Sequence, residues 1–231
     1  MIQIQNAKVA YGDGKVAVDE LNLHIKAGEK VALIGANGAG KSTLLLALLG
    51  VLPLANGEIG IDGLKMDKKN LREIRKHIGL VFQNPDDQLF MAYVHEEIAF
   101  GPRNYGLNAA EVEKRVDQVL QDLDINGLRD RMPQRLSGGE KRMVAIAAVL
   151  SMEPGALLFD EPSSFLDPKA RRSLIATLKG RRETLVIATH DLPFAEEICD
   201  RVVFLQNGRL IADGPAATIL QDSKLLETGG L

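Results

Sequence analysis

Residues 35–43 read Gly35-Ala36-Asn37-Gly38-Ala39-Gly40-Lys41-Ser42-Thr43, a glycine-rich turn set between an apolar run at 31–34 and a second one at 44–49. The first run predicts a buried strand and the second a helix, so the chain must pass from one to the other within this turn. Glycines let the backbone curl with its N–H groups pointing inward, and the N-terminus of the following helix adds partial positive charge. A cradle of that kind holds phosphate. Lys41 can reach the β- and γ-phosphates of a nucleotide, and Ser42 is placed to ligate Mg²⁺. Gly35, Asn37, Gly38, Ala39, Gly40, Lys41, Ser42 and Thr43 are therefore candidate binding residues for ATP or GTP. A flexible turn without a ligand is the alternative, and the strand before it and the helix after it count against that.

The chain has 231 residues, enough for one large domain carrying an inserted subdomain. Its net charge of −3 provides no general basic field, so nucleic acid is not an expected partner. Cys199, the single cysteine, leaves no internal disulfide framework and no CxxC metal site, and is expected to be an inert helix residue. The longest apolar run, 44–54, is broken by Gly50 and ends near Pro53, short of the roughly 20 residues that a bilayer span needs. The N-terminus alternates as Ile2-Gln3-Ile4-Gln5, a strand pattern without the basic and apolar regions of a signal peptide, so the chain is expected in the cytoplasm.

Alternation through residues 1–30, broken by Gly12, Gly14 and Gly28, predicts a small antiparallel sheet, with a further hairpin at 57–63. Short apolar runs at 78–82, 157–159, 185–188 and 202–205 are of the kind buried on both faces of a parallel sheet. Asn207-Gly208 between apolar runs predicts a tight hairpin. Residues 84–150 change to helical spacing: Val112, Val116, Val119, Leu120 and Leu123 share one stripe after Asn108 and Glu111, an Asn-led capping box. The expected fold is α/β, a doubly wound parallel core of the P-loop NTPase kind, with an N-terminal antiparallel β subdomain and an inserted α-helical subdomain. The whole of 1–231 is expected to form one nucleotide-binding domain, with 1–83 and 151–231 as core and β subdomain and 84–150 as the helical insert.

Two further constellations carry chemistry. Ser137-Gly138-Gly139-Glu140 is an S-x-x-E capping box opening a helix through Met143, Ile146 and Leu150, with glycines that let an anion approach the backbone. Asp160 ends the apolar run at 157–159, where a carboxylate is costly unless a charge neutralises it, and Mg²⁺ held through water would do so. Glu161 follows at the edge of the sheet where ligands usually bind, and can polarise a water for attack on the γ-phosphate.

Leu136-Ser137-Gly138-Gly139-Glu140 resembles the signature of ATP-binding-cassette ATPases. The other motifs of that family follow in order: Tyr11, the phosphate loop, Gln83, the signature, residues 157–161, the loop Ser163 to Asp167, and His190. The resemblance implies that Tyr11 stacks on adenine, that Gln83 senses Mg²⁺ and phosphate, and that His190 contacts the γ-phosphate and orients the water. It also implies that Ser137, Gly138 and Gly139 face the nucleotide of a second ATPase subunit, identical or different, so that two chains enclose two ATP molecules head to tail. The candidate catalytic residues are Glu161, His190, Gln83 and Lys41; the candidate Mg²⁺ ligands are Ser42, Gln83 and, through water, Asp160. Alone, Tyr11, Gln83 or His190 would read as an ordinary core or surface residue.

The stretch Gln83-Asn84-Pro85-Asp86-Asp87-Gln88-Leu89-Phe90, continued by residues 94–102, resembles the ATPases of energy-coupling-factor importers, and overall likeness is greatest to the cobalt and nickel branch. That resemblance implies membrane-embedded coupling and substrate-binding partner subunits, a groove beside this stretch for a helix of the coupling subunit, and a peripheral position on the cytoplasmic face of a prokaryotic inner membrane. Cobalt or nickel is the expected cargo, with a vitamin such as biotin as the alternative. A soluble cassette ATPase outside transport is a further alternative. Two departures stand out: Phe165 is bulky where the family carries a small residue, and the chain ends at Leu231 without the C-terminal extension of many relatives. A weak dimer in the absence of ATP is the expectation.

Overall fold

The structure, a computed structural model, describes residues 1–231. In chain order its elements are β1 (Ile2–Ala10), β2 (Val16–Ile25), β3 (Lys30–Ile34), α1 (Lys41–Leu48), β4 (Asn56–Ile61), β5 (Leu64–Lys65), α2 (Leu71–His77) and β6 (Ile78–Val81). They continue with α3 (Val94–Asn104), α4 (Ala109–Asp122), α5 (Gly138–Leu150), β7 (Ala156–Asp160), α6 (Pro168–Gly180), β8 (Thr184–Ala188), α7 (Leu192–Ile198) and β9 (Arg201–Gln206). The chain closes with β10 (Arg209–Pro215), α8 (Ala216–Ile219) and α9 (Ser223–Gly229). Two compact units form: Met1–Leu80, Gly155–Glu161 and Arg182–Leu231 make one, and Val81–Pro154 with Pro162–Arg181 make the other.

The first unit is built on two sheets. The smaller, in order β2-β1-β4-β5, is antiparallel, and β4 and β5 form the hairpin expected around 57–63. The larger runs β10-β9-β3-β8-β7-β6, with β3 parallel to β8 and β9, β7 parallel to β8, and an antiparallel β9–β10 hairpin at its edge. Asn207 at φ 50° and Gly208 at φ 78° turn that hairpin in the left-handed region, as a tight Asn-Gly turn requires. All residues of β7 and β8 are buried, which is why these runs are apolar without alternation. Register places Leu33 beside Ala188 and Ala188 beside Asp160. The C-terminal ends of β3, β8 and β7 thus stand side by side, and the loops leaving them must share one edge of the sheet, the edge at which such folds bind ligands.

The second unit is helical. Asn108 caps α4, its side chain accepting from Glu111 N at 3.0 Å while Glu111 Oε2 accepts from Asn108 N at 3.1 Å, and Val112, Val116, Val119 and Leu120 are buried along the predicted stripe. These side chains and the apolar face of α5 form the unit's core together with α3. Asp167 opens α6, its Oδ1 accepting from Lys169 N and Ala170 N, both at 2.8 Å, ahead of Pro168 in the first turn. The helical unit therefore takes in Pro162–Arg181 as well as the insert at 84–150.

Two expectations need correction. The apolar run at 78–82 yields a strand that stops at Val81, because the amide and carbonyl of Phe82 are bonded instead to the Gln88 and Arg142 side chains. Cys199 lies one residue beyond α7 in extended conformation, and is buried. No helix is long and apolar enough to cross a membrane.

Candidate nucleotide site

The turn after β3 has the curled form predicted for a phosphate cradle. Gly35 and Gly40 adopt φ 148° and 104°, and a Cβ on either would come within 2.3 Å of a backbone oxygen, Leu205 O and Ala17 O respectively. Only glycine fits at these two positions. Gly40 is the residue from which α1 starts, with Leu44 N bonded to Gly40 O at 2.9 Å. Asn37 and Gly38 at the tip are exposed, and so is Ser42 in the first turn of the helix. Lys41 is buried and folds over the loop, donating from Nζ to Gly35 O at 2.6 Å and to Ala36 O at 3.2 Å. Burial lowers its pKa from the ordinary lysine value, against the pull of the carboxylates of Glu161 and Asp160. An ammonium buried at the phosphate loop is placed to meet a bound polyphosphate.

Tyr11 comes to the same place. Its hydroxyl lies 2.6 Å from Thr43 Oγ1, and its ring is half exposed beside the start of α1. An aromatic face tethered there and open to solvent suits stacking on a base.

Asp160 and Glu161 leave the end of β7, and both are buried. Glu161 N donates to Ala188 O at 2.8 Å, extending the pairing of β7 with β8 by one bond. Glu161 nevertheless has φ 48°, in the left-handed region, a conformation costing about 1–3 kcal/mol that tends to persist at functional sites. Its side chain is fixed on both oxygens. Oε2 accepts from the Thr189 hydroxyl at 3.0 Å and from His190 N at 3.4 Å, while Oε1 is 2.9 Å from His190 Nδ1. Thr189 is fully buried and itself bonded through its amide to Leu33 O at 3.1 Å, so one residue ties together the ends of β3, β7 and β8. The His190 ring is largely exposed, its far side open.

Phosphate loop, Tyr11, Asp160, Glu161 and His190 thus all lie in the α/β unit, whereas Gln83 and Ser137-Gly138-Gly139 lie in the helical unit. There, Ser137 caps α5: Glu140 N donates to its Oγ at 3.3 Å, and Ser137 N and Oγ donate back to Glu140 Oε2 at 2.8 and 2.9 Å. The backbone bond from Ser137, reinforced by its hydroxyl, holds the Glu140 carboxyl below the usual carboxylate range. Phe165 lies against this helix start, its Cβ 3.6 Å from where a Cβ on Gly138 would stand. Phe165 is exposed and adopts φ 68°, rare for an aromatic residue. A cavity of about 240 Å³ is lined by Ser137, Gly139, Glu140, Asp167 and Lys169 among others.

Three residues that hold functional groups in place were not singled out from the sequence: Thr189, Arg142 and Glu97. Arg142 and Glu97 are charged yet buried, and each bonds the stretch from Phe82 to Met91. For Arg142 the sequence offers no signal, because the buried residues of α5 run consecutively from Arg142 to Ala147 and leave no polar face to set the helix phase. Thr189 offers none, since a threonine after an apolar strand has no distinguishing pattern.

The model of the ABC transporter family matches residues 18–164. The chain is an ABC transporter ATPase. This ATPase is 44% identical over 236 residues to the energy-coupling factor transporter ATP-binding protein EcfA of Methanothermobacter thermautotrophicus, an alignment spanning 100% of the chain and 76% of that protein. Among solved structures it is similar to CbiO1 of Clostridium perfringens, described as part of the ABC transporter complex CbiONQ, with TM-score 0.86, 37% identity, and coverage of 98% of this chain and 93% of that one. It is also similar to the cassette MJ0796, solved as a dimer in a post-hydrolysis state with ADP and Pi, with TM-score 0.86, 29% identity, and coverage of 94% and 99%. As a member of this family the ATPase binds and hydrolyses ATP, and its mixed α/β P-loop fold is the family's.

Proposed function

We propose that this ATPase is the motor subunit of an energy-coupling-factor importer, working as one of two cassettes on the cytoplasmic face of a prokaryotic membrane and driving uptake of cobalt or nickel through membrane-embedded partners. The observation that carries the reading is the stretch from Gln83 to Phe90. Its inner residue Gln88 is spent on holding the stretch in place, while Phe90 is 61% exposed and meets the exposed Phe100 edge-on at 4.9 Å, an aromatic surface suited to an apolar helix. The similarity to EcfA and CbiO1 supports the importer reading.

In hydrolysis, the backbone amides of the phosphate loop and Lys41 hold the β- and γ-phosphates and Tyr11 stacks on adenine. Glu161, aimed by Thr189, polarises the attacking water, and His190 bridges Glu161 and the γ-phosphate. Mg²⁺ suits the donors present, because Ser42 and Asp160 offer hard oxygens and too few to enclose an ion without phosphate and water, which is how this ion binds. Ser42, Gln83 and, through water, Asp160 would hold it, and when bound it supplies neutralising charge to the phosphates. Ser137, Gly138 and Gly139 face the nucleotide of the second cassette, so that ATP joins the two chains and hydrolysis releases them.

The test is mass spectrometry of what co-purifies with the protein from detergent-solubilised membranes of its host, with elemental analysis of the same sample. Polytopic membrane subunits together with cobalt or nickel are expected. A vitamin in place of the metal would overturn the cargo, and recovery of soluble nucleic-acid factors alone would overturn the transport role.

A further inference from the structure

Arg142 is 0% exposed, and its guanidinium donates through Nη1 to the carbonyl of Phe82 and through Nη2 to that of Gln83. A buried cation is costly unless its donors are met, and here the two forks are spent on consecutive peptide groups of a loop. The same helix holds the same loop at two neighbouring points. Lys141 Nζ bonds Asp86 Oδ1 at 2.6 Å, and the Gln88 side chain donates to Ala145 O at 2.7 Å while accepting from Phe82 N at 3.2 Å. Buried Glu97 closes the far end, accepting from Phe90 N at 2.8 Å and Met91 N at 2.7 Å. Residues 82–91 are thus fastened by side chains, and the bonds of α5 to Phe82, Gln83 and Asp86 start within two turns of Ser137.

We propose that Arg142 is a positioning residue: by gripping the two peptide groups that flank the Gln83 Cα it fixes the direction of the Gln83 side chain and makes residues 82–91 move as one piece with the helix that opens at Ser137-Gly138-Gly139. A planar fork specifies two carbonyls at once, which the point charge of lysine does not. A rigid helix carries any displacement of its first turn to Arg142 within a few residues, so a change at the signature is passed to Gln83 and to the exposed Phe90 without slack. The inference rests on the reading that Gln83 contributes to hydrolysis.

The test is a double-mutant cycle on the purified full chain, joining Arg142→Gln with Gln83→Ala and following kcat, KM for ATP and melting temperature. Arg142→Gln is expected to lower kcat about tenfold with KM for ATP changed less than about twofold, and Arg142→Lys to recover part of the loss. In the Gln83→Ala background the same substitution is expected to change kcat by less than about twofold, because the group it positions is gone. A merely structural arginine would lower the melting temperature and give additive losses in kcat, which would overturn the proposal while leaving Gln83's role intact. A Gln83→Ala protein of undiminished kcat would overturn both. Should Arg142→Gln fail to fold, the same cycle run with Arg142→Lys decides between these outcomes.

Discussion

Glu161 Oε1 stands 2.9 Å from His190 Nδ1, across the C-terminal ends of two adjacent parallel strands. The two residues are far apart in sequence and meet because β7 and β8 pair in a register that puts Asp160 beside Ala188. Sheet pairing therefore brings carboxylate and imidazole within hydrogen-bonding reach of each other. The left-handed backbone of Glu161 then turns its side chain toward His190 and Thr189.

Thr189 should matter to catalysis although it touches no substrate. Thr189→Val keeps the shape of a fully buried side chain and removes the donor to Glu161 and the acceptor for Asp191 N. Loss of these partners is expected to lower stability by about 1–3 kcal/mol in chemical denaturation and to reduce kcat about tenfold with little change in ATP affinity. Wild-type kcat in a folded Thr189→Val protein would show that Glu161 needs no such support.

Ser137→Ala removes the cap of α5, since its hydroxyl accepts from Glu140 N. A stability loss of about 1 kcal/mol is expected from the cap alone. Weaker ATP-driven dimerisation in light scattering is expected as well, because in the proposed dimer the same hydroxyl is shared with phosphate. A stability loss with unchanged dimerisation would confine Ser137 to capping.

Burial, joined by the nearby charge of Asp200, pushes the Cys199 thiol up to about 12. Almost no thiolate exists at pH 8, so the native protein is expected to stay unlabelled by a thiol reagent over minutes and to take up one equivalent in urea. Rapid labelling of the native protein would mean that the end of α7 opens readily.

Much of this arrangement was legible in the sequence because it is local. The phosphate loop, the capping boxes at Asn108 and Ser137 and the Asn207-Gly208 hairpin each depend on a few adjacent residues, and the four apolar runs at 78–82, 157–159, 185–188 and 202–205 became β6 to β9. What could not be read is what depends on burial by distant segments. Arg142, in a stretch of ordinary helix, is a core residue only because Phe82 and Gln83 lie against it. Thr189 is a buried donor only because β3 and β7 flank β8. Residues 162–181 joined the helical unit through tertiary packing that no periodicity announces. The position of Phe165 beside Gly138 likewise follows from the fold, and the sequence marked only its unusual size.

The measurement that tests the account most directly compares Glu161→Gln with the wild-type protein for steady-state ATP hydrolysis and for equilibrium ATP binding. An amide keeps the size of the buried side chain and gives up the carboxylate that Thr189 and His190 aim. The account predicts a kcat lower by about 100-fold or more, with ATP affinity within about threefold of wild type and a stable ATP-bound dimer in light scattering. A variant that still hydrolysed ATP at about a third of the normal rate would contradict the role assigned to Glu161, since general-base removal costs far more than that.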